Sequence, residues 1–156
     1  MKALILYATK HGAASEIARR IAGRIDGAAV HDLKEDGMPD LAGFDYVIVG
    51  SAVYAGLICK EAKTFVTQNT DALREKQLGL FLSGLDASKE SACFEANFPP
   101  ELLQAAKAAR CLGGIFDPKK VNGMERLIMK AAAKQSGYTD TIDDDKITQF
   151  TEEMMA

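Results

Sequence analysis

Apolar runs alternate with helical repeats along the chain. Residues 2–7 form a short apolar run that is typical of a buried strand, and Ile17, Ile21 and Ile25 then fall on one helical face. The same criteria predict strands at residues 2–7, 28–33, 46–51, 78–83 and 111–116, and helices at residues 13–26, 59–69, 99–109, 122–136 and 144–155. This alternation is typical of an α/β protein.

The central strands predict the kind of sheet. The runs at 46–51 and 78–82 are apolar on both faces, as in parallel strands covered by helices on each side. Right-handed crossovers between such strands give a three-layer sandwich. We therefore predict an α/β fold with a five-stranded parallel sheet of order 2-1-3-4-5. No linker or repeat divides the sequence, so residues 1–156 are predicted to form a single domain.

Composition and charge narrow the functional class. The sequence is 47% hydrophobic with a net charge of −3, which fits a globular protein and argues against a nucleic-acid partner. No apolar run approaches the roughly 20 residues of a membrane span, and no signal-peptide pattern precedes the first strand. Cys59, Cys93 and Cys111 are odd in number and far apart, which favours reduced thiols. We expect a cytoplasmic protein without a transmembrane segment; a peripheral position at a membrane and the oligomeric state stay open.

The late part of the sequence carries two further signals. Residues 117–143 form a longer connection than a minimal sheet domain needs, and the helix predicted at 122–136 is apolar on one side with basic residues at its edge. That helix either covers the sheet, or forms the wall of a substrate pocket or a docking surface. The acidic run at 143–145 predicts an N-terminal cap for the last helix. A Ca²⁺ site is the alternative, but the spacing and turn glycine of an EF-hand are missing.

Three loops are expected to form the binding site. In an open parallel sheet, ligands bind beyond the carboxyl ends of the strands where the strand order reverses. For the predicted order this point lies between the first and third strands. The loops that the sequence places there are residues 9–14, 51–57 and 83–87.

The chemistry of these loops predicts a phosphate at one end and a planar ring at the other. Thr9 offers a hydroxyl, Lys10 a positive charge and Gly12 close backbone approach, at a helix start whose N–H groups attract anions. Tyr54 offers an aromatic plane, and the third loop offers backbone groups for the edge of a heterocycle. This combination favours a mononucleotide cofactor such as FMN.

Structural roles and other site types are the alternatives. Thr9 and Gly12 would then only cap a turn and start a helix, and Tyr54 would be an ordinary loop tyrosine. His11 and His31 lack the spacing of metal ligands, so no metal site is predicted. The sequence has neither the triphosphate motif G-x-x-x-x-G-K-[ST] nor the nucleophile elbow G-x-S-x-G. It also lacks the acidic residues that a phospho-receiver domain needs after its first and third strands.

Three stretches of the sequence resemble a known superfamily. The loop Thr9-Lys10-His11-Gly12 resembles the phosphate loop of flavodoxins, in which a hydroxyl residue, two variable residues and a glycine follow the first strand. Over nearly the whole chain, the sequence is most similar to the flavodoxin-domain group that contains the menaquinone-dependent protoporphyrinogen oxidases. The stretches that carry this resemblance are Tyr7-Ala8-Thr9-Lys10-His11-Gly12, Gly50-Ser51-Ala52-Val53-Tyr54-Ala55-Gly56, and Ile128-Met129-Lys130 with Ser136-Gly137-Tyr138-Thr139-Asp140-Thr141. Ordinary short flavodoxins do not resemble the last of these.

The resemblance implies a flavodoxin-like fold that binds FMN. Phosphate contacts are implied for Thr9, Lys10, His11, Gly12, Ala13, Ala14 and Ser15. Ring contacts are implied for Ser51, Ala52, Val53, Tyr54, Ala55, Gly56, Ser83, Gly84, Leu85, Asp86 and Ala87. Two features depart from the family pattern. Ala14 stands where a threonine usually holds the phosphate, and the loop after the fourth strand lacks the aromatic residue that often stacks on the flavin.

Three functions follow as hypotheses. The first is an FMN-dependent oxidoreductase that takes two electrons from a reduced small molecule, such as protoporphyrinogen IX, and passes them to a quinone or a redox partner protein. The second is a flavodoxin-type electron carrier without a substrate of its own, although such carriers are usually more acidic than this chain. The third is an interaction module, which is favoured only if Ala14 abolishes flavin binding. The sequence identifies no catalytic acid or base.

Overall fold

A computed structural model describes residues 2–117, 119 and 138–156, and the helix predicted at 122–136 lies outside these residues. Strands and helices alternate as the sequence pattern predicts. The strands are β1 (Ala3–Ala8), β2 (Ala29–Asp32), β3 (Tyr46–Tyr54), β4 (Leu57–Ile58), β5 (Gln77–Ser83), β6 (Ala108–Cys111), β7 (Ile115–Phe116) and β8 (Thr139–Asp140). The helices are α1 (Ala13–Ala22), α2 (Lys60–Gln68), α3 (Thr70–Arg74), α4 (Glu90–Asn97), α5 (Pro100–Ala105) and α6 (Asp144–Met155).

The main sheet has the predicted strand order. Its parallel strands lie in the order β2-β1-β3-β5-β6, which is 2-1-3-4-5 when the principal strands are counted along the chain. The short β4 adds a sixth strand, because it pairs antiparallel with the end of β3. Strand order therefore reverses between β1 and β3, where the sequence places the binding site.

Helices cover both faces of the sheet, so the molecule has the predicted three layers. On one face, buried residues of β1 such as Ile5 pack with Ile17 and Ile21 of α1 and with Phe150 of α6. On the opposite face, residues such as Leu6 pack with the apolar sides of α2, α3 and α5. The two faces alternate along each strand because successive side chains point in opposite directions.

The fifth principal strand lies earlier than predicted. The strand predicted at 111–116 is wrong: β6 spans Ala108–Cys111, and the helix predicted at 99–109 ends at Ala105. The alanine-rich segment has a helical composition, but pairing with β5 overrides that preference. Gly113 then ends the strand with φ 95°, and Ile115–Phe116 pairs antiparallel with Thr139–Asp140.

Local signals explain the remaining differences. The helix predicted at 13–26 ends at Ala22, and Gly23 follows it as the C-cap, with its N–H donating to the Arg19 carbonyl at 3.0 Å. The segments Thr70–Arg74 and Glu90–Asn97 are additional short helices that the sequence pattern does not predict. The last helix has the predicted bounds, and Asp143 caps it by accepting hydrogen bonds from Asp145 N (3.0 Å) and Lys146 N (3.1 Å).

Candidate functional site

The three predicted loops meet in one cleft at the carboxyl ends of β1, β3 and β5. The cleft contains about 580 Å³ of space, part of it open to solvent. The predicted residues that line it are Lys10, His11, Ala13, Ala52, Val53, Tyr54, Ser83, Gly84 and Leu85.

The first loop forms a tight turn into α1. Gly12 has φ 101°, a left-handed conformation that glycine adopts without steric cost, and its N–H donates to Thr9 Oγ1 at 2.9 Å. Thr9 therefore caps the turn, which is the structural role given above as the alternative to phosphate binding. The cap uses an acceptor lone pair of the hydroxyl, which leaves the hydroxyl proton available for a second bond to an anion. Both interpretations of Thr9 are compatible in this geometry.

The start of α1 supplies backbone donors for an anion. The first N–H groups of any helix, here those from Ala13 onward, have no acceptor within the helix. Ala14 is fully buried in the core, and its methyl side chain has no polar group to offer an anion. The acidic residue of this turn, Glu16, forms ion pairs with Arg19 and Arg20, which offset its negative charge beside the helix start.

The second loop is a β-hairpin that the sequence pattern does not predict. β3 runs on to Tyr54 and returns as β4 through the two-residue turn Ala55-Gly56, with φ 50° and 80°. Two residues with positive φ match the right-handed twist of a hairpin. The ammonium of Lys10 lies 3.8 Å from the centre of the Tyr54 ring, so this hairpin contacts the first loop at the mouth of the cleft.

Several predicted residues do not line this cleft. Ser51 is fully buried, where its hydroxyl accepts from Cys59 N and donates to the Ala52 carbonyl, both at 2.9 Å. Ala55 and Gly56 form the exposed tip of the hairpin. The others that lie outside the lining are Thr9, Gly12, Ala14, Ser15, Asp86 and Ala87.

Asp86 has a local structural role in the third loop. Its carboxylate accepts a hydrogen bond from Ser88 N at 3.0 Å and caps the short helical turn at Ala87–Lys89. The hydrogen bond from the Ser88 hydroxyl lowers the pKa of Asp86, because it stabilises the charged form. The carboxylate is exposed to solvent and does not line the cleft.

Sequence reasoning missed a fourth wall of the cleft. Its residues are Gly114, Ile115, Phe116 and Asp117. Gly114 packs directly on Gly84, since a Cβ atom at position 114 would lie 3.1 Å from the Gly84 carbonyl carbon. Thr141 holds this wall in place by accepting a hydrogen bond from Gly114 N at 3.0 Å. The Gly-Gly pair at 113–114 was the available sequence signal for a close backbone approach.

A second groove lies on the other side of Tyr54. Its lining contains three lysines, one carboxylate and the hydroxyl of the first loop, besides apolar surface: Lys10, Lys34, Lys60, Glu61, Thr9, the exposed Leu57 and the partly buried Cys59. Burial raises the pKa of the Cys59 thiol, because the thiolate would lose its hydration. The groove therefore combines positive charge with apolar surface directly beside the cleft.

The described residues contain neither a candidate metal site nor a membrane-spanning helix. No group of three His, Cys, Asp or Glu side chains in the described segments is placed to hold a metal ion. In the same segments, no helix is both long enough and apolar enough to cross a membrane.

Comparison with known protein families assigns the fold to a family. The family model described as a flavodoxin domain matches residues 4–143. The chain belongs to the flavodoxin domain family. The match includes all three loops of the cleft and the wall at Gly114–Asp117. No curated protein sequence matches the chain significantly.

Solved structures share the fold at low sequence identity. The chain is similar to oxidised flavodoxin 2 from Bacillus cereus, with a TM-score of 0.62, 19% identity, and coverage of 99% of this chain and 98% of that one. A short-chain flavodoxin associated with a bacterial microcompartment gives a TM-score of 0.61 at 16% identity, with 99% and 97% coverage. The rubredoxin oxygen:oxidoreductase of Desulfovibrio gigas gives a TM-score of 0.57 at 18% identity. The match covers 99% of this chain but only 37% of that protein.

Proposed function

We propose that the protein binds FMN in the cleft and acts as an FMN-dependent oxidoreductase. The observation that carries the proposal is that Lys10 and His11 of the first loop and the aromatic Tyr54 line one cleft, in a chain of the flavodoxin domain family. When bound, FMN supplies the redox chemistry, and the protein binds, orients and tunes it. The cytoplasm is the proposed location.

The first loop and the start of α1 would hold the FMN phosphate. Thr9 can donate its hydroxyl proton, Lys10 contributes positive charge, and the backbone from Gly12 to Ser15 contributes N–H groups. Space at Gly12 fits this role, since a Cβ atom there would meet no atom within 4 Å. Ala14 supplies only its backbone, so we expect weaker phosphate binding than a threonine at this position would give.

The remaining walls would hold the ring system. Ala52, Val53 and Tyr54 lie on one side of the cleft, and Ser83, Gly84 and Leu85 lie on another. Backbone groups of these loops can pair with the polar edge of a flavin. The loop after β5 has no aromatic residue, so that either Leu85 or Phe94 would cover the outer face of the flavin or this face would be open to a substrate.

We propose a reduced, carboxylated small molecule such as protoporphyrinogen IX as electron donor, with a quinone or a redox partner protein as acceptor. The resemblance to menaquinone-dependent protoporphyrinogen oxidases motivates this choice. Support from the geometry comes from the second groove, where Lys10, Lys34 and Lys60 offer positive charge to substrate carboxylates. Contact with a membrane quinone would require only a peripheral position.

A flavodoxin-type electron carrier is the second candidate. The observation that favours it is the similarity to the Bacillus cereus flavodoxin over nearly the full length of both chains. A carrier would bind FMN equally well but would not oxidise a substrate of its own. The two candidates therefore differ in turnover and agree in cofactor.

The decisive experiment has two stages. First, the visible spectrum of the purified protein is recorded and FMN is titrated into the apo-protein; absence of flavin absorbance and of measurable binding would reject both candidates. Second, anaerobic oxidation of protoporphyrinogen IX is measured with a menaquinone analogue. Turnover supports the oxidoreductase, whereas no turnover together with rapid electron exchange with a flavodoxin reductase supports the carrier.

A site variant tests the placement of the phosphate. Gly12→Asp introduces a negative charge at the first loop and should weaken FMN binding by at least about tenfold through charge repulsion. Gly43→Asp is the matched control, because Gly43 also has a positive φ (85°) and open space around it but precedes β3, at the edge of the sheet opposite the first loop. Equal FMN affinity in both variants would refute the placement.

A further inference from the structure

Asn97 is a buried polar residue that the sequence pattern did not single out and that does not line the cleft. It ends α4 and is only 2% exposed. Its side-chain amide nevertheless has a full set of partners. A buried amide is costly unless its donors and acceptor are all used, so such an arrangement points to a positional role.

The amide of Asn97 pairs with the hairpin as a strand would. Its Oδ1 accepts from Ile58 N at 3.1 Å, and its Nδ2 donates to the Gly56 carbonyl at 2.9 Å. These backbone groups belong to residues two apart, which is the spacing that a neighbouring strand uses along one edge. Asn97 thus occupies the outer edge of β4, while β3 occupies the inner edge.

The amide is itself fixed to the rest of the molecule. The second hydrogen of Nδ2 goes to the Cys93 carbonyl at 2.7 Å, one turn earlier in α4. Lys63 of α2 donates to the Asn97 carbonyl at 3.1 Å. The hairpin is therefore tied to two helices through one residue.

The hairpin needs such support for a local reason. Its turn holds Ala55 at φ 50°, a conformation that L-residues with a Cβ atom rarely adopt. On the other arm of the same hairpin, Tyr54 lines the cleft and contacts Lys10. Any change in the turn is transmitted to this wall through the pairing of Tyr54 with Leu57.

We propose that Asn97 is a positioning residue of the cofactor cleft: its amide fixes the Ala55-Gly56 turn and thereby sets the position of Tyr54 against the flavin. This inference rests on the proposed binding of FMN. Asn97 does not touch the cleft, and it acts only through the hairpin.

The test compares two asparagines with similar local bonds. Asn97→Asp keeps the acceptor for Ile58 N but replaces the donor to Gly56 with an oxygen. Asn69→Asp is the matched control, because Asn69 Nδ2 donates to the Phe65 carbonyl at 2.9 Å, also four residues earlier at a helix end, but away from the cleft. Both variants remove one such helix-end bond, so both should lower the unfolding midpoint in urea.

Only the Asn97 variant should change the flavin. We expect the Kd for FMN to rise by about tenfold, because only a fraction of the variant would hold the hairpin in its binding position. The redox midpoint potential and the visible circular dichroism of the bound flavin should change as well. Asn69→Asp should leave all three as in the wild type. Equal FMN affinity, potential and circular dichroism in the two variants would overturn the inference.

A measurement without cofactor separates this inference from the proposed function. In the apo-protein, hydrogen exchange of the Ile58 amide should be at least about tenfold faster in Asn97→Ala than in the wild type, with core amides of β1 and β3 unchanged. Unchanged exchange at Ile58 would refute the role of Asn97 in the hairpin, whatever FMN does. If the wild type shows no FMN binding while Ile58 exchange responds, the proposed function fails and Asn97 remains the residue that fixes the hairpin.

Discussion

The ammonium of Lys10 lies 3.8 Å from the centre of the Tyr54 ring. The two residues come from loops that follow neighbouring strands, β1 and β3, and they meet at the mouth of the cleft. A cation over an aromatic face contributes about 0.5–1 kcal/mol at an exposed site. The contact therefore couples the proposed phosphate loop to the proposed ring wall.

Replacing Lys10 should weaken FMN binding. We expect Lys10→Met to raise the Kd for FMN about tenfold at low salt, because a positive charge beside the phosphate is lost. The loss should shrink at 1 M salt, where exposed charges are screened beyond about 3 Å. Titration followed by the quenching of FMN fluorescence measures both values.

Lys107→Met is the control for this experiment. Lys107 also lies over a tyrosine, with Nζ 5.9 Å from the centre of the Tyr46 ring, but it does not line the cleft. Its replacement should leave the Kd for FMN unchanged. A Kd for Lys10→Met equal to the wild-type value would show that Lys10 does not contribute to cofactor binding.

Gly50→Ala should destabilise the fold strongly. Gly50 pairs with Phe81 across β3 and β5, and a Cβ atom at position 50 would lie 2.0 Å from the buried Phe81 ring. Overpacking of this kind costs about 1–3 kcal/mol or more. Urea unfolding gives the loss directly.

Gly79→Ala serves as the comparison, with a smaller expected loss in the free energy of unfolding. Its new Cβ atom would meet Met154 Sδ at 2.5 Å, and the end of a methionine side chain can move aside. A larger loss for Gly79→Ala than for Gly50→Ala would contradict the packing described here. Phe81→Leu should reduce the cost of Gly50→Ala in a double-mutant cycle.

Stability should fall at alkaline pH through two thiols. Burial raises the pKa of the Cys111 thiol and of the Cys59 thiol. A raised pKa in the folded state means that the stabilisation is complete below the thiol pKa of the unfolded chain, about 8.5, and is lost as the pH rises through the folded-state value. The free energy of unfolding should therefore decrease more steeply above pH 8.5 in the wild type than in Cys59→Ala/Cys111→Ala. Parallel pH profiles would reject this account.

Asp143 should contribute to stability as a helix cap. Its carboxylate accepts from two N–H groups at the start of α6, so Asp143→Ala should lower the free energy of unfolding by about 1 kcal/mol. Asn caps helices nearly as well, and Asp143→Asn should lose much less. Thermal and urea unfolding of the two variants tests the cap, and equal losses would mean that charge rather than hydrogen bonding is responsible.

The sequence was sufficient for the order of strands and the location of the cleft. Runs that are apolar on both faces indicate buried parallel strands. The spacing of five such strands favours the doubly wound order, and the point where this order reverses locates the cleft. The turn at Gly12 requires a residue that tolerates positive φ. The last helix was predicted with its bounds because its cap and its apolar face agree. In these places local preference and tertiary packing favour the same structure.

The missed features depend on contacts distant in sequence. Strand β6 is made of residues with helical preference, and only pairing with β5 makes it a strand. The hairpin turn Ala55-Gly56 lacks the usual Asn-Gly or Asp-Gly signal, and it is supported by Asn97, 41 residues away from Gly56. Such partners cannot be identified from the spacing of residues along one segment.

The conformation of Ala55 also has a consequence for directed evolution. A left-handed alanine costs roughly 1–2 kcal/mol relative to the right-handed form, whereas Asn and Gly tolerate the same φ more easily. A library selected for heat resistance alone should therefore enrich Asn or Gly at position 55 before it alters the core. A substitution at position 55 can therefore raise the free energy of unfolding, although this position is exposed and does not line the cleft.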